Sequence, residues 1–213
     1  MPITPAQFPE IINRISASIN QHADAVTELD QAIGDGDHVY NLQRGIEALQ
    51  THSNDIVNLD WPAAWQKIGM TVMAAIGGAS GSLYATLFLS LAKNSKDKPV
   101  NIDTFTEAFA LAVEAVKQRG KADVGEKTML DVWVPVAQAL KQSVASSKTL
   151  AEILDTVCSV AENGVENTRE MLATKGRASF LGERSKGHID AGAKTAQLMI
   201  AAIADQLQQA AAS

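Results

Sequence analysis

A single cysteine, Cys158, stands in 213 residues. One thiol permits no intrachain disulfide and no multi-cysteine zinc site. Cys158 falls in an apolar helical stripe, which suits a buried structural thiol better than a nucleophile. Aromatic residues are scarce at 5%, and the formal net charge is −6, from 18 Lys and Arg against 24 Asp and Glu. DNA and single-stranded nucleic acid need a cationic groove and stacking platforms, so this composition argues against both as partners. It leaves room for a local cationic pocket. The opening MPITPAQFPE has no basic n-region and no apolar h-region, so no secretory signal is read there. A reducing, cytoplasmic setting is the expectation.

Long charge-free runs are nearly missing too. The exception is Ile68 to Ala92, flanked by Lys67 and Lys93. Its length would cross a bilayer. Gly77-Gly78-Ala79-Ser80-Gly81-Ser82 breaks it in the middle, which reads as two buried helices joined by a glycine turn, and no membrane partner is expected. Period-two alternation is absent as well. Asp35-Gly36 lies between helical patterns, not between β-branched runs.

What is present is a helical period almost everywhere. Apolar residues make up 46% and charged residues 20%, ordinary globular values in a chain long enough to bury a sizeable core. Phe8, Ile11, Ile12, Ile15 and Ile19 form one stripe behind Thr4 and Pro5, and a short helix over Ala23 to Ile33 follows. Further stripes are Leu42, Ile46 and Leu49 after Asp37 as N-cap; Trp65, Ile68, Val72 and Ile76 after Asp60; and Leu83, Leu87 and Leu91. Phe105, Phe109, Val113 and Val116 follow Asp103, with Gly120 where a C′ residue belongs. Val132, Val136, Leu140 and Val144 follow Thr128, with Pro135 expected to kink that helix unless it falls in the first turn. Thr149 and Glu152 form a capping box before a helix through Val157 to Leu172, ended by Gly176. Leu198, Ile203 and Leu207 mark the last helix after Asp190, with a frayed tail at 210–213. Trp61, Trp65 and Trp133 are expected in the core or at an interface. The reading is one all-α domain over 1–213, a bundle of about eight helices.

Four non-helical stretches separate these helices: Gly34 to His38, Gly77 to Ser82, Gly120 to Lys127 and Lys175 to Gly192. Two helices intervene between each and the next, so an antiparallel bundle gathers all four at one mouth. The last stretch is long for a bundle connection, which suggests function or mobility.

Their chemistry is uneven. Asp30, Asp35 and Asp37 place three carboxylates around a glycine turn. Crowded carboxylates repel unless a cation sits among them, and oxygen donors suit Mg²⁺ or Ca²⁺. The alternative is that Asp37 caps a helix while the other two are solvated; His38 is compatible with either reading. An EF-hand is excluded, because counting from Asp35 puts Val39, Tyr40 and Ile46 at positions five, six and twelve. Gly77 to Ser82 can bring a backbone and free N–H groups to an anion, but it also fits a tight helix–helix turn, and no Walker A lysine follows. Lys121, Lys127, Lys175, Arg177, Arg184 and Lys186 form a local cationic excess suited to phosphate, or else a solvated loop. No Gly-x-Ser-x-Gly elbow is present. The combined inventory is that of Mg²⁺-nucleotide binding and phosphoryl transfer.

Five motifs occur in order: Leu29-Asp30-x-x-Ile33-Gly34-Asp35-x-Asp37-His38, Gly77-Gly78-Ala79-Ser80-Gly81, Arg119-Gly120-Lys121-Ala122, Gly125-x-Lys127-Thr128-Met129-x-Asp131-Val132-Trp133, and Gly176-Arg177-Ala178-Ser179-x-Leu181-Gly182-Glu183-Arg184-Ser185. Together they resemble the nucleotide-binding L subunit of phosphotransferase-system-dependent dihydroxyacetone kinase. The resemblance implies an all-α, eight-helix antiparallel up-and-down barrel with the nucleotide pocket at one end. It implies two Mg²⁺ on Asp30, Asp35 and Asp37, and an ADP/ATP site lined by His38, Asn41, Ala79, Ser80, Gly120, Met129, Arg177 and the Asp190 to Gly192 turn. Arg177 is the catalytic candidate. The implied activity is that of a phosphoenolpyruvate-dependent glycerone phosphotransferase, active only with partners. An M subunit carrying phosphohistidine recharges bound ADP, and a K subunit carrying dihydroxyacetone accepts the γ-phosphate. Alternatives are an L subunit for another small substrate and a non-catalytic nucleotide-sensing adaptor. The sequence departs from the family pattern twice: Val39 stands where Gly is usual, and Ala191 where Pro is usual. Either change has the potential to alter backbone approach to the nucleotide.

Overall fold

The computed structural model describes residues 4–212, and among them every regular element is helical. The α-helices are α1 (Phe8–Gln21), α2 (Ala23–Ile33), α3 (His38–Thr51), α4 (Ser53–Ile56), α5 (Trp61–Ala75), α6 (Gly78–Ser95), α7 (Ile102–Gly120), α8 (Leu130–Ala145), α9 (Leu150–Asn167) and α10 (Ala191–Ala212). Eight of them close a ring. α1 packs on α3, α3 on α5, and the order continues through α6, α7, α8 and α9 to α10, which returns to α1. Neighbours run antiparallel: Gln43 bonds Asn20 at 2.8 Å and Gln50 bonds Asn13 at 2.9 Å across the α1–α3 seam. The short α2 and α4 lie beside this ring, and α2 also touches the 3₁₀ run Arg177–Ser185. No helix is long and apolar enough to cross a membrane among the described residues.

The apolar stripes explain the ring. Phe8, Ile12, Ile15 and Ile19 turn inward from α1, and Ile19, Ile56, Ile68, Val116 and Val132 are essentially inaccessible. Each such side chain contributes about 1.5–3 kcal/mol on burial. Trp133 meets Tyr84 edge-on in this core, at 5.2 Å between centroids. Trp61 and Trp65 stack at 4.8 Å and are only partly buried. Cys158 is half-buried.

Capping follows local chemistry, with several corrections to the sequence reading. Asp60 accepts from Ala63 N and Thr149 pairs reciprocally with Glu152, as expected. Asn101 caps α7 through Thr104 N at 2.8 Å. Gly120 is the last helical residue of α7, and Lys121 takes the left-handed position after it (φ 47°). Pro135 lies in the interior of α8, beyond the first turn. It leaves the Asp131 carbonyl without its helical N–H partner, and Gly164 of α9 packs against that carbonyl where any Cβ would collide. α9 stops at Asn167 rather than Leu172, passing through the 3₁₀ turn Thr168–Glu170 into extended Met171. Just past that end the Thr168 carbonyl accepts both Met171 N at 3.2 Å and Lys127 Nζ at 2.5 Å, while Thr168 Oγ1 donates back to the Val165 carbonyl. α10 runs on through Ala212, so no fray begins at 210; Ser213 lies outside the described residues.

All four connecting stretches reach the same end of the ring. His38 at the start of α3 touches Thr195 on α10, Gly77 faces Asn41, Lys127 binds carbonyls flanking residues 170–187, and Arg177 reaches Asp35.

Candidate functional site

The acidic turn is shaped by glycine. α2 ends with Gly34 N donating to the Asp30 carbonyl, and a Cβ at Gly34 would run into the Asp30 carboxylate. Gly36 takes φ +76°, a conformation that side chains disfavour. The chain thus doubles back, and Asp30, Asp35 and Asp37 each offer a carboxylate oxygen within 4.8 Å of the others. Among the described residues this is the one such trio of metal-competent groups. Asp37 starts α3 through its backbone, but its side chain caps nothing. The capping alternative for Asp37 therefore falls away. Asp30 Oδ2 accepts from His38 N at 3.1 Å.

His38 is fixed from two sides. Its Nε2 lies 2.8 Å from Thr195 Oγ1, whose own proton goes to the Gly192 carbonyl at 3.1 Å. That assigns the Nε2–H tautomer and leaves Nδ1 as acceptor, 3.5 Å from Ser80 Oγ. Burial lowers the imidazole pKa, opposed by Asp30 and Asp37, so His38 is neutral at pH 7.

The glycine stretch is less of a loop than its sequence suggests. α6 already begins at Gly78, which puts Ala79 and Ser80 in its first turn, where backbone N–H groups lack helical partners. Gly78 (φ +68°) faces open space, whereas a Cβ at Gly81 would strike the Ile76 carbonyl. Gly81 thus serves packing and Gly78 the turn. Asn41 stands across from Gly77.

Met129 is buried, and Gly192 packs beside its backbone N and Cε. Gly120 lies close to Leu83 and Ala122. Asp190 caps α10 through Ala193 N at 2.7 Å. Asp190 keeps some accessible surface, yet protein packs densely round its carboxyl. Burial pushes that carboxyl up to about 7, reinforced by Asp131 and Asp30 and opposed by the Ala193 amide and Lys127.

The six cations do not form one phosphate patch. Arg177 Nε bonds Asp35 Oδ2 at 2.6 Å and faces the acidic turn. Lys175 pairs with Glu126 at 3.4 Å and Lys186 with Glu183 at 2.8 Å. Lys121 and Arg184 are exposed. Lys127 is only 1% exposed and serves the fold. The 175–192 stretch is also not wholly irregular, since Arg177–Ser185 is 3₁₀ with a break at Gly182.

Both departures from the family pattern fall at helix starts. Val39 is a buried residue in the first turn of α3, and Ala191 sits at the first position of α10, a position that proline also favours. Sequence reasoning missed Thr195 and Thr168 and quoted Asp131 only as part of a motif, without a role; all three are buried polar residues. The signal for Thr195 was a hydroxyl inside an otherwise apolar helix face. Asp131 bonds Gly125 N at 2.6 Å and Thr128 N at 2.8 Å and so holds the 125–128 turn.

The DAK2 domain family matches residues 32–205. The ADP-binding subunit DhaL of PEP-dependent dihydroxyacetone kinase 1 from Listeria innocua is 37% identical over 90% of this chain and 91% of its own length. The DhaL subunit from Escherichia coli is 35% identical over 96% and 98%. Human triokinase/FMN cyclase is 29% identical over 93% of this chain and 34% of its own. The crystal structure of the C. freundii dihydroxyacetone kinase in complex with AMP-PNP and Mg²⁺ shares the fold, with a TM-score of 0.71 at 22% identity. That superposition covers 96% of this chain and 34% of the kinase chain. On the family match and the near full-length similarity to two DhaL subunits, the chain belongs to the DAK2 domain family.

Proposed function

We propose that this chain is the ADP/ATP-binding subunit of a dihydroxyacetone kinase. The observation that carries the reading is the Asp30, Asp35 and Asp37 trio at the mouth of the ring, with Arg177 beside it. Three hard oxygen donors in one turn fit Mg²⁺, and on this reading the trio holds two such ions. Bound Mg²⁺ supplies charge neutralisation for the nucleotide phosphates. The protein's own groups orient the nucleotide: the first turn of α6 at Ala79 and Ser80 offers amides, while Asn41, neutral His38, Gly120, Met129 and Asp190 to Gly192 line the remainder. The donor is a phosphohistidine on an M subunit and the acceptor is dihydroxyacetone held on a K subunit. Similarity to a triokinase leaves a related small substrate as the second reading.

Calorimetry of ADP with Mg²⁺ and then with EDTA tests this. Tight binding in Mg²⁺ and its loss in EDTA are expected. Equal affinity in both would remove the metal role, and no binding in either would remove the nucleotide reading.

Arg177 is proposed as the catalytic residue, because its planar donors suit phosphate oxygens. Its side chain is 70% exposed. An exposed ion pair is worth under about 1 kcal/mol, so Arg177→Ala should leave the melting temperature within a few degrees of wild type. Loss of a donor to developing charge costs about 10²–10³-fold in rate, which is the expected fall in turnover of the reconstituted kinase. A large drop in melting temperature at unchanged rate would make Arg177 structural instead.

A further inference from the structure

Lys127 is among the largest fully buried side chains of the protein, and it is a cation. Its ammonium is directed to backbone carbonyls: Thr168 at 2.5 Å, Arg169 at 3.4 Å and His188. Three acceptors match the three hydrogens of an ammonium group. Two of them belong to the turn that ends α9, where the helix dipole leaves partial negative charge. The third lies two residues before Asp190.

Those carbonyls flank the segment 170–187. The same neck is fastened by Gly187 N to the Arg169 carbonyl at 2.8 Å and by Asp190 N to Thr168 Oγ1 at 3.0 Å. Above the neck, Ala173 N bonds Ser185 Oγ, which itself donates to the Gly182 carbonyl. Arg177 sits within this loop. Below, the Lys127 backbone is left-handed (φ 60°) in a turn held by the Asp131 carboxylate, and Met129 at the end of that turn packs on Gly192. The ammonium is thus the point where the 125–129 turn, the end of α9 and the lead-in to α10 meet.

We infer that Lys127 is a positioning residue: its buried ammonium closes the neck of the 170–187 loop and so fixes Arg177 and the Asp190 to Gly192 turn relative to the acidic turn. The effect on nucleotide rests on the function proposed above; the effect on the neck does not. A neutral side chain of equal length would leave the three carbonyls short of a donor, and the loop would then be joined to the ring by fewer bonds.

Segment-resolved hydrogen exchange on Lys127→Met, with calorimetry of Mg²⁺–ADP, separates the two effects. Exchange should accelerate across 125–129 and 168–192 while α1, α5 and α6 keep wild-type protection. Affinity for Mg²⁺–ADP should fall about 10- to 100-fold, as for loss of a group that supports a binding site from behind. Lys127→Gln keeps two N–H donors and should fall between wild type and Met, which keeps the test open if the Met variant does not fold. Uniform acceleration around the whole ring would make Lys127 a general stability residue and overturn the inference. A Gln variant with wild-type exchange and affinity would overturn the need for the ammonium. If wild-type protein binds no Mg²⁺–ADP, the proposed function fails, and the exchange pattern still decides the neck.

Discussion

Asp37→Asn is expected to lose Mg²⁺-dependent ADP binding by at least about 100-fold while the ligand-free protein melts no lower than wild type. The two halves of that result come from the same geometry. Asp37 contributes one of three carboxylate oxygens within 4.8 Å, and its side chain caps no helix. Removing its charge relieves repulsion in the empty turn and removes no folding contact. It also removes one of the three negative charges that would hold a hard cation and leaves a weaker, neutral amide oxygen in its place. Outer-shell substitutions at metal sites already cost about 10–100-fold in affinity, so a direct ligand costs at least the upper figure, close to 2.7 kcal/mol. Ligand binding to the native state raises melting temperature by mass action, so the rise that Mg²⁺ and ADP give wild type should disappear. Thermal melts with and without Mg²⁺–ADP, alongside calorimetry, read both halves. A variant that melts several degrees lower when empty would return Asp37 to a structural role. One that binds Mg²⁺–ADP as wild type does would remove it from the site. Asp35→Ala is a less clean probe, because Asp35 also holds Arg177.

The turn was legible in the sequence because its chemistry is local. Gly34 and Gly36 are adjacent to the carboxylates they gather, and the backbone geometry that glycine permits is written into a few consecutive residues. The ring was legible for a related reason. Apolar stripes at helical period name the buried faces, and alternate short connections place every second turn at the same end. Helix ends were read less well where the deciding group lies far along the chain. Nothing near Leu172 says that α9 stops at Asn167, and the carbonyls just past that end are bonded by the ammonium of Lys127, forty-one residues upstream of Thr168. The same distance misled the reading of Lys127 as part of a phosphate patch. A lysine in a glycine-rich loop has the same sequence pattern whether it faces solvent or is buried against carbonyls. Thr195 was missed because its partners are His38 and Gly192, one far along the chain and one on its own helix. Polar residues that organise a site through long-range bonds carry only a faint signal: a hydroxyl or a carboxylate at a position that the periodicity assigns to the core.

The isolated chain is expected to transfer no phosphoryl group to free dihydroxyacetone from ATP and Mg²⁺. On the proposed function, every candidate at the mouth of the ring serves the nucleotide end of the reaction: carboxylates for metal, the first turn of α6 for an anion, and Arg177 for phosphate oxygens. In-line transfer also needs the acceptor held at near-attack distance. Effective molarities for well-oriented partners reach about 10⁵–10⁸ M, against which millimolar free ketone is negligible. On the function proposed above, the acceptor arrives on a second protein that docks over the mouth. The surface we propose for it is the 175–192 segment, which carries Arg177 against the acidic turn and leaves Phe180 88% exposed, three and four residues before exposed Glu183 and Arg184. The measurement is a coupled assay for dihydroxyacetone phosphate in three arms: this chain with ATP, the chain with ATP and a K subunit, and the chain with ADP, a K subunit and a phosphorylated M subunit. Turnover is expected in the third arm and, if free ATP exchanges into the site, in the second. Robust turnover in the first would overturn the subunit reading. Silence in all three, with ADP still bound by calorimetry, would favour a nucleotide-sensing adaptor. Phe180→Ser locates the docking surface, because it should raise the concentration of K subunit needed for half-maximal rate while leaving Mg²⁺–ADP affinity unchanged.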